Sequence, residues 1–188
     1  MQQIILASKS PRRKMLLKKL GVKFKVVESG YREHHHKHLS ASQLVKFLAL
    51  GKAKKVATKY PNAIVIGADT VVEFRGKILG KPKTITEARK VLQILNEKTN
   101  HVWTGMAVID SFTKKIFTVV KKTKVEFKKL SSELIEKYIA TREPLDRAGA
   151  YALDGQGRKL VQSFKGDMDS AIGLPIKDLK RILEKFSI

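Results

Sequence analysis

Apolar and polar residues along the chain switch repeatedly between strand-like alternation and helix-like spacing, and each switch marks an element. Ile4, Ile5, Leu6 and Ala7 form a short unbroken apolar run, which predicts a buried strand. Ser10 reads as an N-cap and Pro11 as the first residue of a helix that runs to about Leu20 and stops at Gly21. Val22 to Val27 alternates as a half-buried strand, and Glu28 to His38 is polar and irregular. Ser40 and Gln43 form a capping box for a helix to about Lys59, ended by Pro61 and Asn62. Ala63 to Ala68 is a continuous apolar strand that runs directly into Asp69, Thr70, Val71 and Val72. A hairpin follows around Arg75 and Gly76, then a loop from Leu79 to Pro82.

Thr84 and Glu87 cap the next helix, which continues to about Leu95. Val102 to Ile109, Ile116 to Val120 and Lys121 to Phe127 read as strands, with a turn from Asp110 to Lys115. Ser131 or Ser132 caps a helix to about Ala140. Glu143 to Gly157 holds Pro144 and three glycines with no period, which predicts a long functional loop. A strand from Leu160 to Phe164, a loop through Gly173 and a helix from Pro175 complete the chain. This alternation predicts an α/β fold, and the hairpins argue for a mixed rather than purely parallel sheet.

Composition bounds the rest. A length of 188 residues with 43% apolar content suits one domain, residues 1–188, with one core or two lobes sharing a cleft. No run approaches the ~18 apolar residues of a membrane span, and Met1-Gln2-Gln3 lacks the basic start of a secretory signal. Without cysteine there are neither disulfides nor thiolate metal sites, so the cytoplasm is the expected location. The formal charge of +22, from 39 Lys and Arg against 17 Asp and Glu, favours nucleotides, nucleic acids or anionic membranes as partners without choosing between them. It leaves the oligomeric state open, a homodimer included.

Several residues are misplaced for structure alone. At the first strand-to-helix junction, free backbone N–H groups meet the hydroxyls of Ser8 and Ser10, Lys9, Arg12 and Arg13, a set suited to a polyphosphate. An ordinary capped helix with a solvated basic face is the alternative. Lys52 falls inside the apolar stripe of Leu44, Val45, Leu48, Ala49, Ala53 and Val56, where its ammonium must find an anion or snorkel outward. Asp69 interrupts the apolar strand from Ile64 to Val72 and needs a cation or metal, which a structural salt bridge also supplies. Lys81 sits in a tight Gly-Lys-Pro turn, as a site residue or a plain surface one. The run from Glu33 through His34, His35, His36 and Lys37 to His38 lacks the spacing that converges on one ion. Glu33, a hard carboxylate, can join Asp69 around Mg²⁺ with phosphate oxygens and water.

Six segments, Ile5-Leu-Ala-Ser-Lys-Ser-Pro-Arg-Arg13, Gly67-Ala-Asp-Thr-Val-Val72, Leu79-Gly-Lys-Pro82, His101-Val-Trp-Thr-Gly105, Glu143-Pro-Leu-Asp-Arg-Ala-Gly-Ala-Tyr151 and Ile172-Gly-Leu-Pro175, resemble the Maf family in order over nearly the full length. The resemblance implies a two-lobed fold, a mixed, twisted sheet flanked by helices with a central cleft, related to inosine triphosphate pyrophosphatases. It implies hydrolysis of a nucleoside triphosphate substrate between the α- and β-phosphates, with Mg²⁺ or Mn²⁺ as the divalent metal. It assigns phosphate binding to Ser8, Arg12 and Arg13, cleft roles in catalysis to Lys52 and Lys81, an acidic metal pair to Glu33 and Asp69, and proton acceptance to Asp69. For the base, Arg12 and Thr70 match the branch acting on thymidine and uridine triphosphates. Asp154 stands where that branch has glutamine, and an ionised carboxylate accepts but does not donate. Arg147 replaces the family's lysine after Asp146, keeping the charge and adding a planar fork. The competing class is a basic nucleic-acid-binding module, but a 7% aromatic content with no stacking run supports only non-specific binding.

Overall fold

In the computed structural model, which describes residues 2–32 and 38–186, the chain forms an α/β fold built on one open, mixed, seven-stranded sheet. The strands are β1 (Gln3–Leu6), β2 (Phe24–Val26), β3 (Ala63–Phe74), β4 (Lys77–Leu79), β5 (Thr99–Asp110), β6 (Ile116–Phe127) and β7 (Val161–Lys165). The helices are α1 (Pro11–Lys18), α2 (Ala41–Ala57), α3 (Ile85–Leu95), α4 (Ser132–Ala140), α5 (Met168–Ile172) and α6 (Ile176–Glu184). The spatial order is β2-β1-β3-β5-β6-β7, with β4 paired to β3. The chain divides into two units: Met1–Asp69 with Thr104–Lys121 and Gly173–Ile188, and Thr70–Trp103 with Lys122–Ile172.

In the first unit β1 runs parallel to both neighbours, with Ile4 opposite Phe24 in β2 and Ile64 in β3. The chain leaves β1 through α1 to reach β2 on one side, then returns through α2 to β3 on the other. Right-handed crossovers in these opposite directions place α1 and α2 on opposite faces. The face formed by Ile5, Ala7, Ala63 and Val65 packs on Ala49, Ala53 and Val56 of α2, together with Ala107 and Ile109. Full burial is worth about 1.5–3 kcal/mol for each of Ile5, Val56, Val65 and Ile109 and less for the alanines. Two glycines bring α2 unusually close: a Cβ on Gly67 would lie 2.4 Å from the Ala49 carbonyl oxygen, and one on Gly105 2.3 Å from that of Val45. The turn after β5 is set by the Asp110 carboxylate, which accepts from the Phe112 and Thr113 N–H groups, the Thr113 hydroxyl and the Gln2 amide.

In the second unit Arg75 and Gly76, with φ of 50° and 76°, make the two-residue turn joining β3 to β4. Ala88, Leu92 and Leu95 of α3 and Ile135, Tyr138 and Ile139 of α4 share a core with Val72, Val102, Val125 and Phe127 from the strands. Arg89 clasps Glu136 with two nitrogens, at 2.5 and 2.8 Å, and so ties α3 to α4.

The structure departs from the expected elements at three places. Ile116 to Phe127 is one strand, because Thr123, Val125 and Phe127 bury while Lys122 and Lys124 stay exposed, so the alternation continues past Lys121. The segment Glu143 to Gly157 is not a featureless loop but holds 3₁₀ turns at Glu143–Asp146 and Ala148–Ala150 and the start of one at Gln156–Leu160. Finally, α5 occupies part of the loop expected before Gly173. Asp167 caps it, accepting from the Ser170 N–H at 2.8 Å and the Ser170 hydroxyl at 2.5 Å.

Candidate active site

Strand order 2-1-3 makes the carboxyl end of β1 a point where the connections leave in opposite directions, and open α/β sheets bind ligands in the crevice such a divergence leaves. Leu6 is opposite Ile66 and the Ala7 N–H donates to the Ile66 carbonyl at 2.8 Å, so Ser8 comes level with the end of the first unit's part of β3. The Ser10 hydroxyl caps α1 by accepting from the Arg13 N–H, and Pro11 occupies the first turn. Ser8 is buried and accepts from the Ser10 N–H at 3.2 Å. The Arg13 guanidinium is held at two points, donating through Nη1 to Ser8 Oγ at 3.3 Å and through Nε to the Gly173 carbonyl at 3.0 Å. Arg12 is half-buried beside it in sequence, and Lys9 pairs with Glu28 at 2.6 Å.

The two side chains that the apolar pattern singles out independently are partners. Lys52 Nζ lies 2.5 Å from Asp69 Oδ1, with only 12% and 10% of the two side chains exposed. Local structure explains the meeting. Asp69 is two residues beyond Gly67 in β3, so it faces the same side, and α2 lies against Gly67 through Ala49 and Ala53, one residue from Lys52. The lysine in the apolar stripe therefore finds an anion rather than snorkelling outward. Burying an ion pair is costly in itself, but removing either partner costs about 3–5 kcal/mol because the other charge is stranded.

Near Lys52, Tyr31 packs where a Cβ on Gly51 would sit 2.4 Å from its ring, and Lys55 donates to the Gly30 carbonyl. These contacts hold the chain against α2 up to the segment that precedes Glu33. Glu33, His34, His35, His36 and Lys37 lie outside the described residues. Among the described residues there is no cluster of three or more His, Asp or Glu side chains that could hold a metal.

The second unit carries Thr70, Lys81 and Asp154. Thr70 is half-buried, and strand alternation turns it to the opposite face from Asp69. Lys81 pairs with Asp146 at 2.7 Å, both side chains largely exposed. The Gly80 carbonyl accepts from the Gly149 N–H at 3.1 Å, and Gly149, at φ 66°, fits against Val72 where a Cβ would lie 2.9 Å from a methyl carbon. The Gly-Lys-Pro turn is thus stapled to the Asp146–Gly149 segment. Asp154 is exposed, following the buried Ala152 and Leu153.

Of the predicted site residues, the structure therefore brings together Ser8 with Arg13, and Lys52 with Asp69. Sequence reasoning missed Asp146 as the partner of Lys81, the Gly173 carbonyl that orients Arg13, and the packing roles of Gly67 and Gly105. The available signal was their presence inside the recurring motif segments.

Residues 3–186 match the family described as Maf-like protein. The chain belongs to the Maf family. It is 46% identical over 188 residues to a dTTP/UTP pyrophosphatase of Bacillus cereus (strain ATCC 10987 / NRS 248), covering 100% of this chain and 92% of that protein. It is 44% identical over 186 residues to a dTTP/UTP pyrophosphatase of Dictyoglomus turgidum (strain DSM 6724 / Z-1310), covering 98% and 96%. The Maf motifs now have physical meanings in this chain: the first builds the capped start of α1, the second supplies Gly67 and Asp69, and the fourth ends on Gly105, against which α2 rests.

Proposed function

We propose that this Maf protein is a nucleoside triphosphate pyrophosphatase, a single catalytic domain over residues 1–188 that hydrolyses the α–β phosphate bond to a nucleoside monophosphate and pyrophosphate. The observation that carries the reading is the buried Lys52–Asp69 pair, its aspartate midway along β3, with Ser8 and Arg13 joined at the neighbouring end of β1. A carboxylate ion-paired with an adjacent ammonium, in the same unit as a capped basic helix start, has the parts that hydrolytic phosphoryl chemistry requires.

In this reading Asp69 orients a water for in-line attack on phosphorus and takes its proton. Lys52 holds Asp69 in place and lends positive charge to the reacting phosphate. Arg13, braced by Ser8 and Gly173, and Arg12 grip phosphate oxygens with planar forks. Lys81 neutralises charge on the departing pyrophosphate.

Asp69 is a hard oxygen donor midway along β3, which suits Mg²⁺ or Mn²⁺, ions that take one or two carboxylates and fill their remaining positions with substrate oxygens and water. Asp69 and Glu33 would hold the ion, which when bound neutralises phosphate charge.

The substrates proposed are dTTP and UTP, supported by the names of the relatives, with Arg12, Thr70 and Asp154 meeting the base. Thymine and uracil present an N3–H between two carbonyls. Asp154 accepts that N–H but donates to neither carbonyl, so discrimination against other bases is weaker than a glutamine would supply. In this reading the enzyme acts in the cytoplasm on the free nucleotide pool. The test is a panel of canonical and modified triphosphates with Mg²⁺ or Mn²⁺, reading pyrophosphate release. Release from the pyrimidine members is expected. No metal-dependent release from any triphosphate by folded protein overturns the proposal.

A further inference from the structure

We infer that Glu143 is a positioning residue for base selection, its carboxylate clamping the loop that presents Asp154 without itself touching the nucleotide. This rests on the reading of Asp154 as a base contact. Asp154 is exposed on a turn between the buried Tyr151–Leu153 and the buried Gly157. The 3₁₀ turn that follows, Gln156–Leu160, has Gly155 at its cap position and no capping side chain from there. Glu143 supplies the cap from thirteen residues away: its Oε2 accepts the Gly157 N–H at 2.9 Å and its Oε1 the Gln156 N–H at 3.3 Å. A carboxylate accepting two backbone N–H groups makes charge-assisted hydrogen bonds, the stronger kind.

The glycines on either side are the complement of this clamp. A Cβ on Gly155 would stand 1.9 Å from Glu143 Oε1, so only glycine leaves room for the carboxylate. Its φ of −136° is open to any residue, which removes backbone conformation as the reason for glycine there. A Cβ on Gly157 would lie 2.6 Å from the Ala152 nitrogen, so the loop folds back on its own start and leaves Asp154 at the turn. The turn that bears Glu143 ends on Asp146, the partner of Lys81, so one short segment, Glu143–Asp146, holds the Asp154 loop at one end and the Lys81 turn at the other.

The experiment measures kcat/KM for dTTP, UTP, dCTP and dGTP with the wild type, Glu143→Ala, Glu143→Gln, Gly155→Ala and Asp154→Gln, each checked for folding by its thermal midpoint. Glu143→Ala and Gly155→Ala break the clamp from opposite sides, and each is expected to change the dTTP-to-dGTP ratio by about tenfold, the worth of one positioned hydrogen bond. Glu143→Gln, which keeps one acceptor, is expected to restore part of that ratio, and it carries the test should Glu143→Ala fail to fold. A uniform loss across all four nucleotides, with the ratio unchanged, assigns Glu143 a purely structural role and overturns the inference. If Asp154→Gln shifts the ratio and the clamp variants do not, the inference alone fails. If Asp154→Gln leaves the ratio unchanged while the clamp variants move it, the role of Asp154 as base contact fails, and the inference that rests on it fails with it.

Discussion

A lysine in an apolar helix stripe and an aspartate in an apolar strand are each unfavourable alone, and their 2.5 Å contact explains why both persist. The pair makes stability and chemistry separable by mutation. Asp69→Asn strands the Lys52 ammonium, and Lys52→Met strands the carboxylate, so each single change is expected to cost about 3–5 kcal/mol in urea unfolding. The double change Lys52→Met with Asp69→Leu removes both charges, and its unfolding midpoint is expected to recover most of the loss. Turnover follows a different course. Asp69→Asn removes the proton acceptor, with an expected fall of about 10²–10⁴-fold in kcat, and the double variant stays inactive despite its recovered stability. Nucleotide binding by Asp69→Asn, measured by calorimetry, is expected to persist through Ser8 and Arg13. Near-normal turnover in that variant removes Asp69 as base.

At the scale of elements, α2 delivers Lys52 to β3, and the backbone contacts at Gly67 and Gly105 set how near it comes. In Gly105→Ala the new methyl meets the Val45 carbonyl, which is backbone and cannot rotate aside. The helix must shift, with an expected cost of about 1–3 kcal/mol and, because displacements near 1 Å at a reacting centre cost on the order of 10²-fold, a larger relative loss in turnover. Thermal unfolding and steady-state kinetics on the same preparation check both. This is also where legibility in the sequence ends. Helix starts at Ser40 and Thr84 are readable because a cap and its partner lie three residues apart, that at Ser10 because Pro11 follows it, and the fourth only as Ser131 or Ser132; the structure caps with Ser10, Ser40, Thr84 and Ser131. Lys52 and Asp69 were readable as misplaced charges because burial follows from local period. Their pairing was not, and neither was that of Lys81 with Asp146, 65 residues away, because tertiary proximity leaves no trace in local spacing. The same holds for Gly67 and Gly105, whose missing side chains matter only once a helix is laid over them. The bounds of β6 and the presence of α5 depended on continuity of burial and on the Asp167 cap, both weaker signals than a proline or glycine stop.

Over the whole molecule, a formal charge of +22 makes acid the sensitive direction. Two buried or half-buried carboxylates sharpen it, one in each unit. For Glu73 burial pushes the pKa up, but the Gly76 N–H, the Trp103 indole N–H and the positive charges of His101 and Lys122 more than offset it and hold the group below its ordinary value. Asp110 is likewise pushed up by burial and brought lower on balance by its bonds from Thr113, Gln2 and Phe112. A carboxylate with a lowered folded pKa binds fewer protons folded than unfolded, so stability rises with pH through that range. The contribution is complete above the unfolded values, about pH 4 to 4.5, and is lost as pH falls through the folded ones. Protonating carboxylates also adds to the net positive charge, and self-repulsion then opposes the compact state in the same direction. The thermal midpoint is therefore expected to be nearly level from neutral pH down to about 5 and to drop steeply below about 4.5. Salt divides the two causes. At about 1 M the screening length is near 3 Å, which suppresses repulsion across the surface but leaves hydrogen bonds to buried carboxylates in place. Glu73→Gln and Asp110→Asn, measured at that salt, are expected to flatten the remaining acid slope, because neither amide titrates. A slope identical to the wild type in both variants overturns the assignment to Glu73 and Asp110 and moves it to other carboxylates held below their ordinary values, such as Glu126 and Glu136.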